Sequence, residues 1–422
     1  MKLLSKLSRE NNLLRGLLFS LFSFLNKGIA FILLLILAKY ITPDEYGYLS
    51  LYSSLVVLFG YFIGLSTPGY ISVVFFQKSK HEFAKDFTSI IAIIVASIIV
   101  LIFIITLIPS NFFLSNLSLS KDIIYYSVLV SALGVFFTLY LDYVRVNEQV
   151  LRYGIFSCGY AIITFILSIV FIVVIQKGWQ GKVYAEFASY ALFVIFAIVF
   201  IIKNRLIRFR HSITKERLCE ILIWGLPLIP HLASTWIRQG LDRFIINSSY
   251  DIYTVGIFSF ALNLVNIINI LGLAFNSSNS VDLFKVLSDN SSQSQKYSKI
   301  NRLLKQTGGI YIIATVLIVL IVLPLVYFFL PKYILALKFF LPLSIFGLLQ
   351  CVYYLFCNFL FYYKKNFILM LITFTSSLIH LLLSLIFTKI SLFCTVGIYI
   401  ITQSIVVFSV YKVAMKSFFE SR

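Results

Sequence analysis

Arg238, Asp242 and Arg243 stand in the stretch CEILIWGLPLIPHLASTWIRQGLDRFIINSSYDIYTVGIFSFALNL, which is otherwise apolar enough for a membrane helix. An ionisable side chain at bilayer depth costs about 2.5–3.5 kcal/mol on insertion scales, so such groups persist where they face a cavity or a partner. Arginine offers a planar fork of donors that matches phosphate and carboxylate oxygens, and lysine a point charge. Arg238 and Arg243, with Lys27 near the middle of the first apolar run, are the candidate anion-binding groups, and Asp242 is a candidate for coupling or local ion pairing. Two other readings stay open. Arg238 and Asp242 are four residues apart and could neutralise one another on one helix face. Arg243 lies close enough to a helix end to snorkel.

Four further groups could carry protons. Asp142 lies beside Arg145 and Glu186 near Lys182, so each fits an interfacial ion pair or a proton relay. His231 and His380 fall inside apolar runs, where hydrogen-bonded packing competes with a relay role, and His231 is kept as a coupling candidate. Asn263, Asn266 and Asn269 recur every third residue on one side of a helix, suited either to sugar hydroxyls or to interhelical hydrogen bonds. Gln350, Asn358 and Gln403 are isolated and read as packing residues. The five cysteines lack C-x-x-C spacing and read as buried thiols. A nucleotide-binding P-loop, H-E-x-x-H and G-x-S-x-G are all missing. No enzyme, no cofactor and no metal is therefore expected.

The elements that must hold these groups follow from composition. With 60% hydrophobic and 12% charged residues, the 422-residue chain cannot form a soluble globule and is expected to be an all-α integral membrane protein. The net charge of +19 does not point to nucleic acid, because the basic residues sit in short segments between apolar runs. Twelve runs are long enough to span, near residues 15–38, 46–76, 87–108, 123–144, 154–176, 183–202, 219–247, 252–275, 307–330, 338–361, 366–387 and 393–411. The first is too long for a signal-peptide core. Most lysines and arginines, including those of KNRLIRFRHSITKER at 203–217, fall on the side that holds both termini, which predicts cytoplasmic ends. That basic segment divides the chain into expected lobes of six helices, 1–202 and 219–422, joined by a linker at 203–218. A weak repeat aligns YGYLSLYSSL (46–55) with VGIFSFALNL (255–264), and two such lobes would face a central cavity.

On LAKYITPDEYGYLSLYSSL (37–55), GLSTPGYISVVF (64–75) and WGLPLIPHLASTWIRQGLDRFIINSSYDIYTVGIFSFAL (224–262), the chain resembles the Wzx-type O-antigen flippases. These belong to the polysaccharide-export branch of the multidrug/oligosaccharidyl-lipid/polysaccharide exporter superfamily. The resemblance implies a multidrug-exporter-like fold in the bacterial inner membrane and transfer of an undecaprenyl-pyrophosphate-linked oligosaccharide between leaflets by alternating access. Membrane lipid, a polysaccharide polymerase and a chain-length regulator are the implied partners. The competing readings are a cation-coupled small-molecule exporter, a lipid II flippase of the same superfamily, and a membrane glycosyltransferase or polymerase. The last normally needs a large catalytic loop, and a drug exporter would be expected to bury acids rather than bases.

Overall fold

The computed structural model describes residues 12–208, 213–289 and 291–420. Lys2, Lys6 and Arg9 of the basic N-terminus, and residues 209–212 of the basic segment, lie outside the described residues. The described chain contains helices and no strand, and twelve helices are long and apolar enough to cross a membrane. These are α1 (Asn12–Tyr40), α2 (Pro43–Gly64), α3 (Lys80–Leu107), α4 (Lys121–Val146), α5 (Val150–Val174) and α6 (Gln180–Lys203). They continue as α7 (Lys215–Ser249), α8 (Ile252–Ser288), α9 (Gln293–Phe329), α10 (Ala336–Tyr362), α11 (Asn366–Phe387) and α12 (Leu392–Glu420).

Three departures from the hydropathy pattern matter. The second run does not continue to residue 76. It breaks after Gly64, where Leu65 and Ser66 take φ of 46° and 58°, before a 3-10 turn at Thr67–Tyr70. Next, the polar stretch 276–306 is helical rather than a loop: α8 runs on to Ser288 and α9 begins at Gln293. Some of its charged residues pair within it, as Lys299 and Asp289 do at 2.7 Å, and a capping box of Ser292 and Gln295 starts α9. Leu283, Leu287 and Ile300 meanwhile bury against Phe359, Leu360 and Val410. Finally, α7 is interrupted by a 3-10 turn at Leu226–Leu228, which holds Pro227, and by a π turn at Ile237–Leu241.

Contacts gather the chain into two units, Met1–Ile41 with Tyr48–Trp236, and Thr42–Gly47 with Ile237–Arg422. In the first unit α1 packs on α5, and α4 and α5 on α6. In the second, α10 packs between α8 and α12, with α11 on α12 and α9 on α8. The division falls inside α7, at its π turn, and not in the segment 203–218. The reason is that the first half of α7 is tied into the first unit. A Cβ at Gly225 would stand 2.4 Å from the Leu65 carbonyl oxygen, so glycine permits this backbone contact. Trp236 Nε1 also donates to the Ser54 carbonyl at 2.9 Å.

The detached residues Thr42–Gly47 have an equally local explanation. Thr42 and Glu45 cap α2 reciprocally, at 2.9 and 3.2 Å. The backbone then crosses α8: a Cβ on Gly256 would lie 1.8 Å from the Pro43 oxygen, and one on Gly47 2.2 Å from the Ile252 oxygen. Gly47 and Gly256 are the two glycines that the weak repeat aligns.

Candidate functional site

The second unit holds a buried polar layer built from α7, α8, α10, α11 and α12. Arg238 lies on the π turn, and its Nη1 donates to Gln403 Oε1 at 2.8 Å. Among the described residues no carboxylate pairs with Arg238. The phenols of Tyr353, Tyr354 and Tyr399 lie within its electrostatic reach. The i,i+4 pair offered by the sequence between Arg238 and Asp242 does not form. The π turn adds backbone between the two α-helical segments and turns Asp242 toward α11 instead. There Asp242, 1% exposed, meets His380 Nε2 at 2.8 Å. His380 is itself fully buried, and its Nδ1 lies 3.0 Å from Thr402 Oγ1. Arg243, one residue further on, is coupled to Tyr46 and Tyr399.

The asparagine row divides. Asn263 Nδ2 donates to Tyr46 Oη at 2.7 Å, an interhelical bond. Asn269 donates to Asn266 along the same helix at 3.2 Å. The amide nitrogen of Asn266 has no hydrogen-bond partner among the described residues.

In the first unit, Lys27 is exposed on α1 and makes no ion pair among the described residues. Asp142 pairs with Arg145 at 2.8 Å, and Glu186 with Lys182 at 3.0 Å. Glu186 also accepts from Tyr52 Oη at 3.4 Å. Asp142 and His231 line one cavity of ≈ 560 Å³ with Tyr61, Tyr190 and Trp224. Its wall includes the break that follows Gly64, an irregular backbone of the kind tolerated at membrane depth where it borders a cavity.

A second ionic cluster fixes the start of α7. Asp86, wholly buried on α3, binds Lys78 at 3.0 Å and also the Arg217 guanidinium. Lys78 reaches Glu220 at 3.1 Å, and Glu220 accepts from Tyr70 at 2.5 Å. Burial alone would lower Lys78, but hydrogen bonds to Asp86 and Glu220 outweigh it and hold the ammonium above its ordinary range. Burial, then the bond to Glu220, pushes the Tyr70 phenol up to about 12. The five cysteines are free thiols, but only Cys351 and Cys357 are buried: Cys158 and Cys394 are half-buried, and Cys219 is exposed in the first turns of α7.

Residues 13–281 match a family described as polysaccharide biosynthesis proteins. The chain belongs to this family. An Lsg locus protein of Haemophilus influenzae is 23% identical over 383 residues, 88% of this chain and 91% of that protein. An uncharacterized membrane protein of the same organism is 24% identical over 345 residues, 81% of each. Among solved structures, the lipid II flippase MurJ in an inward closed conformation superposes with a TM-score of 0.74 at 17% identity, covering 96% of this chain and 89% of that one. A multidrug resistance MATE family transporter of the MOP superfamily, outward-facing, gives 0.67 at 14% identity, covering 96% and 95%. At these identities the likeness shows the fold, which is the multidrug-exporter fold expected from the sequence.

The part of this polysaccharide biosynthesis protein matched by the family includes Arg238, Asp242, Arg243, Asn263 and Asn266 but stops short of His380, Thr402 and Gln403. Those three are the partners that reading the sequence missed. His380 lies 138 positions from Asp242 and Gln403 165 from Arg238, so no local spacing signals either contact. The available signal was weaker: a histidine and a glutamine inside apolar runs need polar partners somewhere.

Proposed function

We propose that this protein is a flippase that moves an undecaprenyl-pyrophosphate-linked oligosaccharide, an O-antigen or similar repeat unit of lipopolysaccharide biosynthesis, from the cytoplasmic to the outer leaflet of the bacterial inner membrane. The single observation that carries the reading is Arg238. A half-buried guanidinium held by one amide and, among the described residues, by no carboxylate keeps donors suited to an anion, in a protein that belongs to a polysaccharide biosynthesis family. A lipid diphosphate is the anion such a membrane protein would meet. Arg243 adds positive charge in the same unit and Asn266 a neutral donor for sugar hydroxyls, while Lys27 is the cation proposed for the first unit. The two contact units, which divide within α7 rather than at 203–218, are the bodies that alternate access, with both termini in the cytoplasm. A polysaccharide polymerase and a chain-length regulator would act on the product. The protein itself breaks no bond of the substrate.

Coupling is assigned to Asp242. Thr402 gives its only hydroxyl hydrogen to the Ile398 carbonyl at 2.7 Å, so His380 Nδ1 must be the donor toward Thr402. Nε2 and the Asp242 carboxylate then share one proton. That shared proton joins α7 to α11 at 2.8 Å in a buried site, which ties the pair to the relative position of the two helices. Asp142, Glu186 and His231 are secondary candidates, the first two held by local pairs.

The test is a set of substitutions in cells that depend on the protein for surface polysaccharide. Arg238→Ala and Lys27→Ala should each reduce surface polysaccharide while the protein stays in the membrane. Full export by the double variant at normal abundance would overturn the cationic reading.

A further inference from the structure

The cavity of the first unit differs in chemistry from the polar layer of the second. Its ≈ 560 Å³ lies within the range of small-molecule sites, about 300–1,000 Å³. It extends along α4 from Val130 to Asp142, about 18 Å at 1.5 Å per residue. Neither lysine nor arginine is among its lining residues, so it is not built for a diphosphate. Three aromatic side chains, Tyr61, Tyr190 and Trp224, supply flat apolar faces with polar edges. Tyr190 is held in place by stacking on Tyr160 at 4.2 Å. The ionisable groups besides the tyrosines are Asp142 toward one end and His231 on α7; Ser66, Ser131 and Thr138 add hydroxyls, and those of Ser131 and Thr138 already donate to helix carbonyls.

The charge state decides between ligand classes. Asp142 Oδ1 is bound by Arg145 at 2.8 Å, which neutralises the carboxylate as a counter-ion and leaves its second oxygen as an acceptor. A cavity with an unpaired carboxylate would favour an organic cation. This one favours an uncharged ligand with hydroxyl donors and flat C–H faces. We infer that the first-unit cavity is a glycan subsite that takes one or two uncharged sugar residues, their C–H faces on the aromatic rings and a hydroxyl on Asp142. The inference rests on the flippase reading and adds a separate place for the sugar, apart from the Arg238 layer.

Photo-crosslinking in the native cell tests it with the whole protein. p-Benzoylphenylalanine is placed at 190 in the cavity, at 354 beside Arg238, and at the exposed position 196 on α6 as a control. Adducts are isolated from membranes and scored for sugar released by mild acid, which cleaves a sugar diphosphate. The expected result is sugar on adducts from 190 and 354, none from 196, and at least a fivefold loss at 190 when Asp142→Asn is added at equal membrane abundance. Sugar at 354 with none at 190 would overturn the subsite and leave the flippase reading standing. Undiminished capture at 190 in the Asp142→Asn variant would remove the carboxylate from the site. Sugar at neither position would overturn the flippase reading, and the subsite with it.

Discussion

Replacing Gly256 by alanine perturbs the crossing of α2 and α8 at a place where the geometry leaves no slack. The added methyl would stand 1.8 Å from the Pro43 oxygen and 2.7 Å from its carbon, where ordinary contacts begin at 3.4 Å. The backbones must therefore separate by about 1.6 Å, the difference between 3.4 and 1.8 Å, and the obstacle is main chain, which no rotamer change relieves. Overpacking of this kind costs about 1–3 kcal/mol. The Asn263–Tyr46 hydrogen bond, three turns or fewer from the clash, would lengthen and forfeit about 0.5–1.5 kcal/mol more. The edge contacts of Tyr46 with Phe260 and Tyr333, at 5.5 and 5.7 Å, would loosen with it. The total, about 1.5–4.5 kcal/mol, corresponds to at least a tenfold shift toward the separated state. Hydrogen–deuterium exchange of the purified protein reads this directly. The peptide covering 42–52 should exchange at least ten times faster in the Gly256→Ala variant, and Gly47→Ala should do the same, with α10 and α12 unchanged. Wild-type exchange in that peptide, at an unchanged melting temperature, would refute the close-crossing explanation of why Thr42–Gly47 belongs to the second unit.

Three other perturbations follow from buried charge. Asp86→Asn removes the carboxylate shared by Lys78 and Arg217, and losing one partner of a buried ion pair costs about 3–5 kcal/mol. Its signature should be a lower melting temperature in detergent and new trypsin cleavage near Arg217. Asp242→Asn and His380→Gln should each destabilise the second unit, and the double variant should lose less than the sum of the two, because each single change leaves the other member unpaired. Additive losses would show that the pair does not act as a unit. Arg238→Lys should retain part of the surface polysaccharide that Arg238→Ala loses, since an ammonium keeps the charge but not the fork. Equal loss by both would make the planar geometry indispensable.

What could be read from the sequence was set by the range of the signal. The twelve spans were legible because hydropathy over some twenty residues is a local property. Asp142–Arg145 and Lys182–Glu186 were legible for the same reason, being three and four residues apart. Arg238–Asp242 has identical spacing to the second of these, yet fails, because the π turn at Ile237–Leu241 changes the geometry on which the spacing rule depends. The helical extension through 276–306 was hidden by polarity: charged residues end a hydrophobic run but need not end a helix. The anchoring of α7 to the first unit was hidden by distance, since Asp86 and Arg217 are 131 residues apart. Pro227 and Pro230 stand inside α7, where proline favours a bend. They did not reveal that the contacts would divide the chain in the same helix, nine residues beyond Pro227.

Translocation by the purified protein is the most direct measurement. Full-length protein is reconstituted into liposomes carrying an undecaprenyl-pyrophosphate-linked oligosaccharide in the outer leaflet, and a membrane-impermeant glycosidase digests whatever sugar remains outside. The account predicts a growing protected fraction with wild-type protein and a protected fraction close to that of protein-free liposomes with Arg238→Ala. Equal protection by both proteins, or none above the protein-free value with either, would contradict it.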